Sequence, residues 1–248
     1  MRTSASVRAV LASRIAIVGR GRMGQALAAA LARAGADVVG PLGRGANGDG
    51  ADVVLLCVPD AQIAPAAALI AAGRLVGHCS GATTLEPLQP HEAFSMHPLL
   101  TVTGADARFD GAGCAIAGTT PRALSTAAAL ARTLGMRTAV VADEDRALYH
   151  AAASMASNYV VTLAGAAERL ADAAGVERSL LVPLVRAAVG NWAAHGAARA
   201  LTGPIARGDE GTAARQRAAV AERAPELLPV WDALAAETRS LAAARGSA

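Results

Sequence analysis

Residues 15–24 read IAIVGRGRMG, a short apolar run that leads into a Gly-x-Gly-x-x-Gly motif and then into alanine-rich sequence. This order predicts a β-strand, a phosphate-binding turn and a helix over Met23–Ala34. We expect Gly19 to permit the tight turn, Gly21 to let the backbone approach a pyrophosphate, and Gly24 to allow close packing of helix on strand. The free N–H groups at the start of the helix would face the anion. The motif therefore predicts a dinucleotide-binding site rather than a plain structural turn.

The end of the second predicted strand, Asp37–Gly40, bears on the choice of cofactor. Enzymes that use NAD normally carry Asp or Glu there, because its carboxylate accepts hydrogen bonds from the ribose. This chain has Gly40, and Arg44 follows in the turn-like stretch Pro41–Gly50. Arg20, Arg22 and Arg44 supply positive charge here with no carboxylate to repel a 2′-phosphate, which favours NADP and leaves NAD as the lesser alternative. The other interpretation is that Arg44 is only a solvated loop residue. The predicted cofactor contacts are Gly19, Arg20, Gly21, Arg22, Met23, Gly24, Arg44, Val58, Pro59, Ser80 and Gly81.

Composition excludes several classes of function. The 248 residues are 53% hydrophobic and 17% charged, which is ordinary for a globular protein with a substantial core. A net charge of +3 is compatible with nucleic-acid binding, but the arginines are scattered among acids and aromatic residues make up only 2% of the chain. We therefore expect no nucleic-acid partner. All 23 basic residues are Arg, so a Schiff-base lysine, a P-loop lysine and a lysine general acid are excluded.

Cysteine usage and hydropathy indicate a cytoplasmic protein. Cys57, Cys79 and Cys114 form no Cys-x-x-Cys pair, and residues 1–12 lack the apolar core of a secretory signal. Reduced thiols and no metal site are expected. The longest uncharged run, Ala151–Ala167, is short for a membrane span and is predicted to be a buried bundle helix.

The remaining patterns predict two domains. Residues 1–13 are expected to be a frayed tail, and an α/β pattern follows as far as residue 142, with only helical periodicities from residue 143 onward. The fold class is therefore α/β, an N-terminal Rossmann domain (1–142) followed by an all-α C-terminal domain (143–248). Further strands are predicted at Asp52–Val58, Arg74–Cys79, Gly113–Ala117 and Arg137–Val141, and helices at 60–72, 121–134, 144–174, 177–200, 212–223 and 226–245.

Polar residues in two helical-domain segments are candidates for substrate contacts. His150, Ser154 and Asn158 recur every four residues, so an α-helix would place them on one stripe. We expect the stripe to face the cleft between the domains; a hydrogen-bonded helix–helix contact is the alternative. In the turn LTGPIARGD (201–209), Asp209 can cap the following helix and Arg207 can clamp a carboxylate. His97, held extended by Pro98, lies in the α/β part.

These motifs resemble a family of predicted oxidoreductases, the Rossmann-like proteins with a helical conserved-unknown C-terminal domain, related to the 6-phosphogluconate dehydrogenase superfamily. Some relatives resemble an alternative ketopantoate reductase, and wider ones include pyrroline-5-carboxylate reductases, prephenate dehydrogenases and deazaflavin-dependent NADP reductases. The family implies a homodimer formed through the helical domains. The resemblance covers nearly the whole chain and is carried by Gly19–Gly24, Ser80-Gly81, Ser95–Leu99, His150, Ser157–Tyr159, Thr202–Pro204 and Arg207–Asp209.

One departure from the wider superfamily concerns the proton donor. β-Hydroxyacid dehydrogenases and ordinary ketopantoate reductases carry a helical Lys four residues before an Asn, as general acid and substrate anchor. Asn158 matches the Asn, but Ser154 stands in the Lys position, and a serine hydroxyl is a poor proton donor. His150 and His97 are the alternatives, because an imidazolium can donate near neutral pH. The His97-Pro98 pair is also similar to the catalytic His-Pro of prephenate dehydrogenases.

The sequence hypothesis is an NADPH-dependent reductase of a small carbonyl acid, with ketopantoate as the leading substrate. Asn158 and Ser154 would hydrogen-bond the substrate, Arg207 would bind its carboxylate, and His150 or His97 would donate the proton. Other substrates, such as a cyclic imine, a prephenate-like acid or a deazaflavin, stay open. A non-catalytic NADP(H)-binding regulator is the alternative from a different class, and an S-adenosylmethionine-dependent methyltransferase is disfavoured.

Overall fold

The computed structural model describes residues 5–244, with side chains from Val7 onward. By its internal contacts the chain divides into two compact units, one ending at Ser157 and one beginning at Asn158. Each unit is described by itself below. The domain boundary at residue 142 stays a prediction.

The first unit contains a seven-stranded sheet in the order β2-β1-β3-β4-β5-β6-β7. β1 to β5 run parallel, β6 runs antiparallel to β5, and β7 runs parallel to β6. The chain order reverses at β1, and ligands of open α/β sheets bind beyond the carboxyl ends of strands at such a point. The strands are β1 Arg14–Val18, β2 Asp37–Leu42, β3 Val53–Leu56, β4 Leu75–His78, β5 Glu92–Leu99, β6 Gly113–Gly118 and β7 Arg137–Val140.

Two apolar layers cover this sheet, which explains the continuous apolar runs in its central strands. Ile15 and Leu55 face a core that contains Leu27. Their neighbours in the sequence face a second core that contains Ile63. The helices of this unit are α1 Ala5–Leu11, α2 Arg22–Arg33, α3 Ile63–Ala67, α4 Pro121–Thr133 and α5 Arg146–Ser154.

Three predictions about this unit are wrong in detail. Residues 5–11 form helix α1 instead of a frayed tail, and Val10, which is 5% exposed, packs in the same core as Leu27. The helix predicted over 60–72 is reduced to a 3₁₀ turn, Asp60–Gln62, and the short α3. The long helix predicted over 144–174 is interrupted by a π-helical turn, Met155–Tyr159. Regular α-helical spacing therefore ends at Ser154.

All the regular secondary structure in the described residues of the second unit is helical, and the unit has a small core. Val220, Ala224 and Leu227 are buried there, and Leu170 and Trp231 pack against them. The helix predicted over 177–200 breaks at Gly196, whose φ is +77°. The helices are α6 Val160–Ala173, α7 Arg178–His195, α8 Ala197–Ala200, α9 Glu210–Arg223 and α10 Leu228–Ala244; the predicted last residue, Arg245, lies outside the described range.

The run Ala151–Ala167, predicted to be buried, is exposed or half-buried along its length. Neither α6 nor α7 contains a buried residue. The prediction is wrong because Val161 and Leu163 are exposed and Ala166, which packs against the small core, is only half-buried. Within residues 5–244, no helix combines the length and the apolar character that crossing a membrane requires.

Candidate functional site

The glycine turn after β1 has the geometry that its sequence predicts. Gly19 has φ +124°, and a Cβ atom there would lie 2.1 Å from the carbonyl oxygen of Cys57. A Cβ atom at Gly24 would lie 1.9 Å from the Gly19 oxygen. Gly21 differs, because its Cβ position has no atom within 4 Å. Two glycines thus permit the close packing, and the third leaves open space above the start of α2.

That open space suits an anion. Gly21 is the N-cap of α2, and no side chain of the described residues caps the start of this helix. Uncapped N–H groups and the positive end of the helix dipole together favour a phosphate. Arg22, at the start of α2, is exposed, and Met23 packs against the core.

Arginine side chains flank the end of β2, where the ribose of a dinucleotide is expected. A Cβ atom at Gly43 would lie 3.4 Å from Cζ of Arg20, so the Arg20 guanidinium reaches this loop from the glycine turn. Arg44 is exposed beside it. Among the ion pairs found between described residues, none involves either arginine. The residues present therefore fit a cofactor with a phosphate on its ribose.

Gly40, predicted to end the second strand, lies two residues before the last residue of β2, Leu42, and its backbone does not accept an acidic side chain. Its φ is +124°, and a Cβ atom would lie 2.5 Å from the carbonyl oxygen of Ile17. A carboxylate side chain cannot be built at this position without moving β1. The close packing of β2 on β1 is thus incompatible with an acidic side chain at Gly40.

Ser80, at the carboxyl end of β4, is buried and holds the loop that follows it. Its Oγ donates to Oδ2 of Asp60 at 2.8 Å and accepts from the backbone N–H groups of Ala82 and Thr83 at 3.2 and 2.9 Å. His78 supports the same loop: its Nδ1 accepts from the Ser80 N–H at 3.2 Å and its Nε2 lies 3.0 Å from the Thr84 oxygen. The Ser80 side chain is fully engaged, and its contact with a cofactor stays a prediction.

Two histidines predicted from separate stretches meet over Gly81. A Cβ atom at Gly81 would lie 2.6 Å from Cδ2 of His150 and 2.7 Å from Cε1 of His97. The ring centroids of the two histidines are 6.0 Å apart. His97 comes from the end of β5 and His150 from α5. Both imidazoles therefore stand at the carboxyl edge of the parallel strands, the edge that also carries the glycine turn.

His97 is neutral at neutral pH. Its pKa is lowered to about 4, mainly by burial and to a smaller extent by the neighbouring His150 and Arg146. Its Nδ1 lies 2.7 Å from the hydroxyl of Tyr149, whose own pKa burial raises to about 12. The imidazolium form that the sequence hypothesis requires for proton donation is therefore not populated on His97 near pH 7.

Arg146 joins the elements around the two histidines. Only 1% exposed, it donates from Nη1 to Oγ of Ser95 and from Nη2 to the carbonyl oxygen of Ser80, each at 2.9 Å. Its Nε has no partner among the described residues, and burial lowers its pKa. These bonds tie α5 to β5 and to the loop after β4.

Sequence reasoning missed Arg146, Tyr149 and Asp60. Arg146 is one of 23 arginines and belongs to no motif. A signal did exist for Tyr149, because the chain has only two tyrosines and this one directly precedes a candidate histidine. Within the described residues, no cluster of His, Cys, Asp or Glu could hold a metal ion.

Three further residues were predicted to contact the substrate. Ser154 ends α5 and is half-buried. Asn158 and Arg207 belong to the second unit, where both are exposed. Asp209 caps α9 as predicted, accepting from the Thr212 N–H at 3.0 Å. Roles for Ser154, Asn158 and Arg207 stay predictions, as do those of Val58 and Pro59, which follow β3.

Solved structures share this fold over almost the whole chain. A Thermotoga maritima protein, TM1727, is 23% identical with a TM-score of 0.78, covering 93% of this chain and 98% of its own. A Bacteroides fragilis protein described as a candidate NADP oxidoreductase, BF3122, is 17% identical with a TM-score of 0.77, covering 93% and 99%. A reductive aminase from Aspergillus terreus, in complex with NADPH and ethyl levulinate, is 17% identical with a TM-score of 0.62, covering 92% and 98%.

These likenesses confirm the α/β fold with a helical C-terminal part. No curated protein matches the sequence. A family model described as "Domain of unknown function (DUF2520)" matches residues 112–238, about half of the chain. The match includes β6, β7 and most of the helical part, so the resemblance to Rossmann-like proteins with a conserved-unknown C-terminal domain is confirmed. The chain belongs to the DUF2520 family.

Proposed function

We propose that this protein is an NADPH-dependent reductase of a small carbonyl acid. One observation carries the proposal: the imidazoles of His97 and His150 converge on Gly81 at the sheet edge that also bears the glycine turn. In open α/β sheets this edge, near the reversal of strand order, is where ligands bind. Two imidazoles able to contact a carbonyl thus lie at the same edge of the sheet as the glycine turn.

The cofactor assignment rests on the turn and its arginines. Gly19, Gly21 and Gly24 would hold the pyrophosphate, and Arg20 with Arg44 would bind a 2′-phosphate on the ribose. When bound, the nicotinamide would supply the hydride. The descriptions of the Bacteroides protein and of the reductive aminase both name this cofactor, in its NADP or NADPH form, which supports NADP over NAD here.

The protein's own groups would polarise the carbonyl and protonate the resulting alkoxide to give the alcohol. The neutral His97 ring can donate one hydrogen bond to the carbonyl oxygen, and His150 is the proposed source of the proton. Arg207 would bind the substrate carboxylate, with Ser154 and Asn158 hydrogen-bonding the substrate. Among 2-oxo acids we propose ketopantoate first, following the family resemblance. A cyclic imine is the second candidate, following the wider resemblance to pyrroline-5-carboxylate reductases.

Steady-state oxidation of NADPH tests this function. The purified protein is assayed with ketopantoate, a panel of 2-oxo acids and cyclic imines, with NADPH and NADH in parallel. Turnover of one panel member with at least tenfold preference for NADPH is expected. A variant with Arg20→Ser and Arg44→Ser should lose that preference while keeping its rate with saturating NADH.

Two outcomes would contradict parts of the proposal. Tight NADPH binding without turnover of any panel member would contradict the proposal that the protein is an enzyme. It would favour a non-catalytic NADP(H)-binding regulator, the alternative suggested by Ser154 in the position of the superfamily's catalytic Lys. Failure to bind either cofactor in calorimetric titration would remove the site itself. Replacing His97 and His150 with Ala separates enzyme from regulator, because a regulator keeps its cofactor affinity and has no rate to lose.

We further propose that the protein pairs with a second copy through α6 and α7. Leu180, Leu184 and Trp192 of α7 are 69%, 66% and 55% exposed, and burying such side chains yields roughly 1.5–3 kcal/mol each. Light scattering after size exclusion should give twice the 24.7 kDa chain mass. The Leu184→Glu variant should shift the protein toward monomer, whereas Arg186→Glu on the same helix serves as a control for added charge.

A further inference from the structure

The His97 ring makes one polar contact with another described side chain. Its Nδ1 lies 2.7 Å from the Tyr149 hydroxyl, and the two rings are nearly perpendicular, at 89° with centroids 5.7 Å apart. No hydrogen bond joins Nε2 to a described residue; Nε2 lies 2.9 Å from where a Cβ atom of Gly81 would be. One nitrogen is therefore bound to tyrosine, and the other faces the glycine at the strand end.

The hydrogen bond has a preferred direction. A phenol O–H is a good donor and a weak acceptor, whereas the unprotonated nitrogen of a neutral imidazole is a good acceptor. The lowest-energy arrangement therefore has Tyr149 donating to Nδ1. Since a neutral imidazole carries a single proton, that proton must then be on Nε2.

The charges around His97 keep the ring in this neutral form. His150 and Arg146 face it from α5 and His78 from β4, and all three disfavour a second proton. Asp60, after β3, favours one, but burial of the ring outweighs it. Tyr149, also on α5, stays protonated near pH 7 because burial raises its pKa to about 12. The ring thus holds one N–H group, and its tyrosine partner decides which nitrogen carries it.

We propose that Tyr149 is a positioning residue that fixes His97 as the Nε2–H tautomer and directs this N–H group over Gly81. Its use there, hydrogen-bonding a substrate carbonyl oxygen, rests on the proposed function. Hydride addition to the carbonyl carbon leaves negative charge on that oxygen, which the Nε2–H group stabilises while His150 supplies the proton of the alcohol. The other tautomer would turn a lone pair toward this oxygen and repel it.

Nitrogen NMR of the whole protein tests the tautomer without reference to activity. In protein labelled with ¹⁵N-histidine at pH 7, His97 should show a protonated Nε2 and an unprotonated Nδ1, assigned by loss of these signals in His97→Gln. Tyr149→Phe removes only the donated O–H group and should shift the Nδ1 and Nε2 signals toward a mixture of tautomers. Tyr159→Phe, the other tyrosine, is exposed on the π-turn and should leave them unchanged.

Rate measurements test the role. Tyr149→Phe should lower kcat by about 10- to 100-fold, less than the roughly 100- to 1,000-fold lost when a donor to a developing oxyanion is removed outright, because the His97 ring stays in place. KM should change by less than about twofold. Tyr159→Phe should not lower kcat. Far-UV circular dichroism and thermal unfolding verify that Tyr149→Phe is folded before either measurement is read.

The results separate the inference from the function on which its use rests. A wild-type His97 protonated on Nδ1, or signals unchanged by Tyr149→Phe, would overturn the positioning role. If Tyr149→Phe shifts the His97 tautomer but leaves kcat unchanged, the proposed hydrogen bond from His97 to the substrate carbonyl is overturned. Absence of turnover in the wild type would overturn the proposed reductase, while the NMR result would still decide the tautomer.

Discussion

Replacing Gly21 with Ala tests whether the glycine turn binds a pyrophosphate. Gly21 has φ −70° and ψ 176°, values that alanine adopts freely, and its Cβ position has no atom within 4 Å. The folded chain can therefore accept the methyl group, and we expect the free energy of unfolding to change by less than about 1 kcal/mol. The methyl group would, however, stand where the pyrophosphate approaches the backbone.

Gly24→Ala is the matched variant for the packing role. Its Cβ atom would lie 1.9 Å from the Gly19 oxygen, against about 3.3 Å for an ordinary contact between carbon and oxygen. The backbone of the turn would have to move by about 1.4 Å, because neither atom belongs to a flexible side chain. Overpacking of this kind costs about 1–3 kcal/mol, and backbone contact puts this variant at the upper end, near 3 kcal/mol.

Two assays distinguish the roles of these glycines. Urea unfolding followed by circular dichroism should give a nearly unchanged midpoint for Gly21→Ala and a clearly lower one for Gly24→Ala. Fluorescence titration with NADPH should show the dissociation constant of Gly21→Ala raised by about 10- to 100-fold, equivalent to about 1.4–2.7 kcal/mol. Wild-type NADPH affinity in the folded Gly21→Ala protein would refute the placement of the pyrophosphate over this turn.

Three further predictions concern the cluster around Gly81. Gly81→Ala would place Cβ 2.6–2.9 Å from the two imidazoles, so kcat should fall by about 100-fold through their displacement; an unchanged kcat would contradict the role of this pair. Arg146→Met removes two hydrogen bonds at 2.9 Å, and urea unfolding should show a loss of about 2–4 kcal/mol. Arg122→Met, which removes a 69% exposed side chain paired with Glu92, should cost less than about 1 kcal/mol. The folded pKa of His97, about 4, lies below its unfolded value of 6.5, so the unfolded chain takes up the proton first and stability falls as pH drops from about 6.5 to 4. In His97→Gln, the loss in the free energy of unfolding between pH 6.5 and 4 should be smaller by up to about 3 kcal/mol. An equally large loss in the variant would disprove that His97 causes it.

The parts of the fold that were predictable have local causes. The motif at Gly19–Gly24 requires glycine for reasons confined to a few neighbouring atoms, and the continuous apolar run of β3 reflects cores on both faces of one strand. The reversed direction of β6 has no such local signature. A strand that pairs parallel or antiparallel presents the same side-chain alternation, so the sequence pattern at Gly113–Gly118 predicts a strand without its direction.

The candidate site was only partly predictable, because its members meet through the fold. His97 and His150 are 53 positions apart, and only the packing of α5 against β5 brings both onto Gly81. Arg146, which holds that packing, is indistinguishable in the sequence from a surface arginine. The shift in the His97 pKa depends on burial and on neighbouring charges, neither of which the sequence reports. The π-turn at Met155–Tyr159 likewise escapes a prediction that assumes uniform helical spacing.

Helices α6 and α7 contain no buried residue, so their stability depends on more than the contacts they make within one chain. A helix within a protein derives most of its stability from the face it packs. Apart from contacts such as that of Leu170 with the small core, α6 and α7 leave much of their apolar surface exposed within a single chain. Under the proposed pairing, that stabilisation comes from another molecule and scales with how many are present. Folding of the helical part and assembly then become one equilibrium, and dilution acts on it as a denaturant does.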